Sequence, residues 1–267
     1  MILQNTIRNG NVTSSGIVAL TKKAKNGKDF GAPAITYIEE CNIERWLGDA
    51  METETDARPL QWGNLCEPRV HDILPLDYRY CSDETMQHPT IPYWVGSPDG
   101  FKEIAERTVA EIKCPMTKKS FVKLVLPLYC GMGEDVTLSN GTIARVGGIE
   151  AMYAVRDGFN HEGTEYSEHK DGAKFYWQIS SNGIISGCEY GELIVYMPRQ
   201  SELLDIFNSV SEDPAFNWMK YNPDCVPCLK DDGIFRSVNI IRFRIPQSDK
   251  DFLTERVLAA GEMLITI

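Results

Sequence analysis

Two carboxylates and a lysine stand in one short stretch of the chain. Ser97-Pro98-Asp99-Gly100 is followed, eleven residues after Gly100, by Glu111-Ile112-Lys113. In an extended strand alternate side chains share a face, so Glu111 and Lys113 project together while Ile112 points into a core. If Asp99 ends a neighbouring strand of the same hairpin, its carboxylate can meet that of Glu111. With the Ile112 carbonyl the two acids then make an all-oxygen donor set suited to Mg²⁺. Phosphodiester hydrolysis needs charge neutralisation on the phosphate and an activated water. Metal ions supply both, and a nearby lysine can orient or deprotonate the water. Standing alone, Glu-x-Lys on a surface strand is a weak ion pair worth about 0–1 kcal/mol. Its company raises it above that, because Glu67 falls on the inward face of an upstream helix.

The elements that must position these groups are legible from apolar periodicity and chain breakers. Residues 60–74 put Leu60, Gly63, Glu67, Val70 and Leu74 on one helical face, with Pro68 as an internal conflict. Residues 93–95, 100–105 and 108–113 read as short strands of a β-hairpin or meander, with Glu106-Arg107 as the turn. Further helices are expected at 14–20, 34–47, 120–126, 173–185 and 249–265, and strands at 193–197 and 237–245. Residues 127–172 are rich in glycine and too long for a simple connection, so they read as an inserted hairpin or functional loop. This alternation gives an α/β fold, a central mixed β-sheet flanked by helices.

Composition agrees with a folded protein. The 267 residues are 43% hydrophobic and 24% charged, with 21 Gly and 14 Pro, which excludes disorder, collagen and coiled coil. One domain over residues 1–267 is expected, with the inserted segment at 127–172. No stretch approaches the roughly 20 apolar residues of a membrane helix, and the N-terminus lacks a signal-peptide core, so a cytoplasmic protein with no membrane partner is expected. Eight scattered cysteines read as reduced. Cys225 and Cys228 have CxxC spacing without a second ligand pair, and are expected as free thiols rather than a zinc site. A net charge of −11 taken alone argues against nucleic acid. However, Lys22, Lys23, Lys25 and Lys28, and Lys118, Lys119 and Lys123, form clusters that could make a local basic track or simply solvated faces.

The ordered motifs together resemble the phage lambda exonuclease and YqaJ-type viral recombinase family of the PD-(D/E)xK nuclease superfamily. They are Arg8-Asn9-Gly10-Asn11-Val12-Thr13-Ser14-Ser15, Trp62-Gly63-Asn64-Leu65-Cys66-Glu67, Ser97-Pro98-Asp99-Gly100, Glu111-Ile112-Lys113-Cys114-Pro115 and Tyr176-Trp177-Gln178. They span about two-thirds of the chain, and the region after Met197 carries no matching motif. The resemblance implies a restriction-endonuclease-like core and a metal-dependent exonuclease. Such an enzyme degrades one strand of linear double-stranded DNA from its 5′ end and leaves a 3′ single strand for an annealing protein in phage-type recombination. It implies that Asp99, Glu111 and the Ile112 carbonyl hold a first Mg²⁺, that Glu67 and Asp99 help hold a second, and that Mn²⁺ can substitute. Lys113 and Gln178 would position the attacking water, and Arg8, Ser15 and Ser97 would bind the terminal 5′-phosphate. A ring-shaped homo-oligomer, a trimer, is the expected assembly. The 65 residues from Lys113 to Gln178 exceed what compact members need, which fits the insertion. Only Cys225 and Cys228 lie late enough for the iron–sulfur cluster of some superfamily exonucleases, so none is expected.

Each residue also has a structural reading. Glu67 can be a solvated helix residue, Gln178 a core-edge amide, Arg8 part of a loose terminus, and Ser14 or Ser15 a helix N-cap. Trp62 and Trp177 read as core, and His71, His88, His161 and His169 have no ligand spacing. A PD-(D/E)xK endonuclease of restriction or resolvase type and a non-catalytic DNA-end-binding protein remain alternatives. The first would cut circular duplex, and the second would lack metal-dependent turnover.

Overall fold

Strand β6 (Thr108–Lys113) is the axis on which the site is built, and it lies inside a seven-stranded mixed sheet. The computed structural model describes residues 7–25, 27, 29–51, 57–81, 84–102 and 106–266. In chain order the elements are β1 (Val12–Thr13), α1 (Ala32–Leu47), α2 (Arg58–Ile73), β2 (Tyr78–Tyr80), β3 (Met86–Gln87), β4 (Trp94–Gly96), β5 (Gly100–Lys102) and β6. There follow α3 (Lys118–Pro127), β7 (Gly133–Thr137), β8 (Ile143–Gly147), α4 (Ile149–Asp157), β9 (Phe159–His161), β10 (Thr164–Tyr166) and α5 (Gly172–Ser186). The chain closes with β11 (Tyr190–Tyr196), α6 (Leu203–Ser209), α7 (Asn217–Tyr221), β12 (Val238–Arg244) and α8 (Gln247–Gly261).

The central sheet has the order β2-β5-β6-β11-β12-β8-β7. β5 and β6 form the expected antiparallel hairpin, with Gly100 opposite Ala110, while residues 103–105 of the expected first strand lie outside the described residues. β6 and β11 are parallel, with Leu193 beside Glu111 and Val195 beside Lys113. Strand alternation then separates two cores. Val109, Leu193, Val195, Ile241 and Phe243 face α3, α4 and α5 through Phe121, Leu124, Met152, Val155 and Ile179. On the opposite face Ala110, Ile112, Ile194 and Ile240 pack on Trp62, Cys66 and Val70 of α2 and on Ile206 and Met219 of α6 and α7. Trp62 therefore belongs to the core, as expected for it, although it lies off the helical face read from spacing.

Three expectations change. The strand expected at 93–95 is β4, and it leaves the hairpin to form a separate three-stranded sheet, β1-β4-β3, in which β1 and β4 run parallel. The helix expected at 14–20 is a single 3₁₀ turn at Ile17–Thr21. It has Gly16 at its N-cap and no side-chain cap, because Ser14 instead shares a hydrogen bond with Ser181 at 2.8 Å. Pro68 does not break α2, which runs through it from Arg58 to Ile73 with the proline ring on the exposed side. Residues 127–172 hold the β7–β8 hairpin, α4 and the β9–β10 hairpin, and β8 pairs parallel with β12, so the segment extends the central sheet. No helix among the described residues is long and apolar enough to cross a membrane.

Candidate active site

Asp99 immediately precedes β5 and lies beside Glu111. Its backbone N–H donates to Ala110 O at 3.2 Å, and its Oδ2 accepts from the Ile112 N–H at 2.6 Å, so the hairpin's own ladder fixes the carboxylate. A side chain at the next position would be crowded. A Cβ on Gly100 would stand 3.1 Å from Arg79 O and 3.2 Å from His71 Cε1. Lys113 and Glu111 share the strand face that alternation assigned them, and Lys113 Nζ donates to Glu111 Oε1 at 2.5 Å while standing 3.8 Å from Asp99 Oδ2. From α5, Gln178 Nε2 donates to the same Glu111 oxygen at 2.5 Å. The structure therefore brings Asp99, Glu111, Lys113, Gln178 and the Ile112 backbone into one cluster.

Glu111 is only 1% exposed, and its buried Oε2 has no hydrogen-bond partner among the described residues. Burial, with the Asp99 and Glu67 carboxylates nearby, pushes its pKa up to about 8 against the opposing pull of Lys113. Burial works against the Lys113 charge, but Glu111, Asp99 and Glu67 outweigh it and push its pKa up, so the ammonium persists. Glu67 on α2, with a buried Oε1, lies near enough to add to both shifts, although the buried stripe of α2 is Trp62, Cys66 and Val70 rather than the expected face, whose Leu60 is exposed. Among the described residues no three His, Cys, Asp or Glu side chains form a ready-made metal centre. The Lys113 ammonium stands between the two carboxylates instead. The donor set nevertheless fits a hard cation, because Asp99, Glu111 and the Ile112 carbonyl offer oxygens only, and among the described residues the buried Glu111 Oε2 has no hydrogen-bond partner.

The three residues assigned to the phosphate lie near the first sheet. Arg8 donates to Ser15 Oγ at 3.3 Å, and Thr13 Oγ1 is 3.2 Å from the same hydroxyl. Parallel pairing of Thr13 with Val95 sets Ser15 and Ser97 just beyond the ends of adjacent strands. Ser97 pairs with Thr85 Oγ1 at 2.9 Å, and among the described residues it makes no hydrogen bond with Arg8 or Ser15. Arg8 also lines an open cavity of about 420 Å³ with Asn11, Thr13, Tyr37 and Glu40.

Two contributors were missed by sequence reasoning. His71 lies one turn beyond Glu67 on α2, against Tyr80 and Gly100, with a buried Nε2 that has no hydrogen-bond partner among the described residues, and burial lowers its pKa. Phe175 lies one turn before Gln178 on α5, with Lys113 Nζ 5.6 Å from its ring centroid. Helical spacing from Glu67 and Gln178 is the signal that points to both.

No protein-family model and no curated protein matches the chain. Among solved structures it is similar to LHK-Exo, an alkaline exonuclease from Laribacter hongkongensis, with TM-score 0.56, 15% identity, and coverage of 98% of this chain and 92% of that one. The complex of LHK-Exo with dAMP gives TM-score 0.55 at 15% identity and the same coverage. A phage-related exonuclease from Haemophilus somnus 129PT gives TM-score 0.56 at 13% identity, covering 97% of this chain and 96% of that one. The chain thus has the fold of these alkaline and phage-related exonucleases, the fold that the resemblance in its motifs implied.

Proposed function

We propose that the chain is a divalent-metal-dependent exonuclease acting on the ends of linear double-stranded DNA. It degrades one strand in the 5′ to 3′ direction and leaves a 3′ single strand for an annealing protein. The observation that carries this reading is Glu111, a buried carboxyl beside Asp99 with one oxygen held by Lys113 and Gln178 and the other without a partner among the described residues. Asp99, Glu111 and the Ile112 carbonyl would hold Mg²⁺ or Mn²⁺, with Glu67 and Asp99 at a second ion. Bound there, the metal supplies charge neutralisation at the phosphate and an acidified water. Lys113 and Gln178 orient that water. The water's oxygen would bond to phosphorus while the P–O3′ bond breaks, the water giving up a proton to solvent and the departing 3′ oxygen taking one from solvent to become a hydroxyl, and the shortened strand would keep a new 5′-phosphate. Arg8, with Ser15 and Ser97, binds that terminal phosphate, which selects 5′ ends and readies the next cycle. The dAMP complex of LHK-Exo, a nucleoside 5′-monophosphate on the same fold, supports this class of product.

End-labelled linear duplex, with and without 5′-phosphate, and a closed circular duplex should be incubated in Mg²⁺ and in chelator. Mononucleotide release from phosphorylated linear ends in Mg²⁺, abolished by chelator, is expected. Cleavage of the circle would establish an endonuclease instead, and end binding without turnover would leave a non-catalytic binding protein.

A further inference from the structure

Lys113 carries a charge that two carboxylates hold from one side, while an aromatic ring lies on another. Its Nζ donates to Glu111 at 2.5 Å and stands 3.8 Å from Asp99 Oδ2, which accounts for one short contact and one long one among three ammonium hydrogens. The Phe175 ring centroid is 5.6 Å away, inside the roughly 6 Å range over which the negative face of an aromatic ring attracts a cation. Phe175 is one turn before Gln178 on α5, so a single helix delivers the amide to Glu111 and the ring to Lys113. The ring is itself buttressed. His169 stacks on Phe175 with centroids 5.8 Å apart and planes 28° from parallel. His169 Nδ1 accepts from the Asp171 N–H at 3.1 Å, which leaves Nε2 to donate to Ser120 Oγ at 2.8 Å. His169 lies in the segment read from sequence as an insertion, which thereby reaches the site.

We propose that Phe175 is a positioning residue for Lys113, its ring face holding the ammonium toward Glu111 and Asp99 so that the lysine is set for the water; this rests on the nuclease reading above. A merely apolar role is the competing account, since Phe175 also packs in the core under the sheet. The two accounts differ in what they ask of the ring. Packing needs its shape, whereas holding a cation needs its electron-rich face.

Replacing Phe175 with 4-fluoro-, 3,5-difluoro- and 3,4,5-trifluorophenylalanine keeps the shape and progressively removes the negative face. The expected result is a stepwise fall in kcat reaching about 2- to 30-fold, with KM and Tm unchanged. A flat series, or a fall that only follows loss of Tm, overturns the proposal. Phe175→Tyr should retain the rate, and Phe175→Leu should lose it. A readout independent of turnover is the Lys113 ammonium proton resonance in ¹⁵N-lysine-labelled protein. It should lie upfield from the ring current and move downfield in Phe175→Leu; an unmoved resonance also overturns the proposal. Absence of Mg²⁺-dependent turnover in the unaltered protein would instead defeat the nuclease reading, and is seen before any variant is made.

Discussion

Glu111 is expensive to bury. A carboxylate withdrawn from water costs several kcal/mol unless charges and donors replace its hydration, and here Lys113 and Gln178 serve one oxygen only. On the proposed reading that asymmetry would divide the labour between neighbours: the carboxylates would hold the cation and the lysine would act on the water. Lys113→Ala is therefore expected to slow cleavage by about 10²–10⁴-fold while Mg²⁺ or Mn²⁺ binding, read by calorimetric titration, is largely kept. Asp99→Ala should lose both. A near-normal rate in the Lys113 variant rules out the assignment. Arg8 makes a separate test, because a guanidinium can grip a terminal phosphate through two parallel hydrogen bonds. Arg8→Ala should slow digestion of 5′-phosphorylated ends far more than of 5′-hydroxyl ends, with smaller effects in the same direction from Ser15→Ala and Ser97→Ala. Equal slowing of both substrates would assign Arg8 to folding or general DNA affinity.

At the scale of elements, β11 does two jobs by alternation. Leu193 and Val195 face the helices beside Glu111 and Lys113, while Glu192 on the opposite face accepts from Tyr78 OH at 2.6 Å. Burial raises the Glu192 pKa above its ordinary 4.5 despite the Tyr78 hydrogen bond, so the folded state holds that proton more tightly than the unfolded chain. The resulting stability is complete below about pH 4.5 and is lost as pH rises through the raised value. Thermal melts of the metal-free protein should then show wild type losing ground to Glu192→Gln between pH 4 and pH 8. A constant gap across that range excludes the linkage. The sequence announced the β5–β6 hairpin, α2 and α5, because periods of 2 and 3.6 persist over enough residues to be read. It did not announce β2 or β3, since strands of three and two residues have no period. Nor could it place β4 in a second sheet or set β6 beside β11, since both pairings join segments far apart in the chain. The candidate site divides the same way. Glu111 and Lys113 shared a face by local alternation, but the Gln178 contact spans 67 residues and the Ser120–His169 support spans 49.

For the whole molecule, if the chain is the proposed exonuclease, a net charge of −11 sets the problem of holding DNA through many cycles. Repulsion from an acidic body is screened beyond about 8–10 Å at physiological salt, so local basic surface can still bind, but it does not by itself prevent escape. Lys118 and Lys119 are exposed at the start of α3, five and six residues beyond Lys113, so positive charge begins beside the site. Lys22, Lys23 and Lys25 are also exposed, whereas Lys28 lies outside the described residues. Lys123 is tied to Ser167 Oγ at 2.9 Å and Glu168 O at 3.2 Å, which removes part of its donor capacity from any DNA track. Enclosure would solve what this small basic surface does not, because a closed ring would keep the substrate within reach of the lysines after each release of nucleotide. The active form is accordingly expected to be a closed homo-oligomer, a trimer, whose passage is lined by some of the lysines of the 22–28 and 118–123 clusters. Light scattering at working concentration, with and without linear duplex, measures this beside a processivity assay on long DNA. A trimer mass in either condition agrees with enclosure, while a monomer in both that still digests long duplexes processively rejects the ring and assigns retention to the lysines alone.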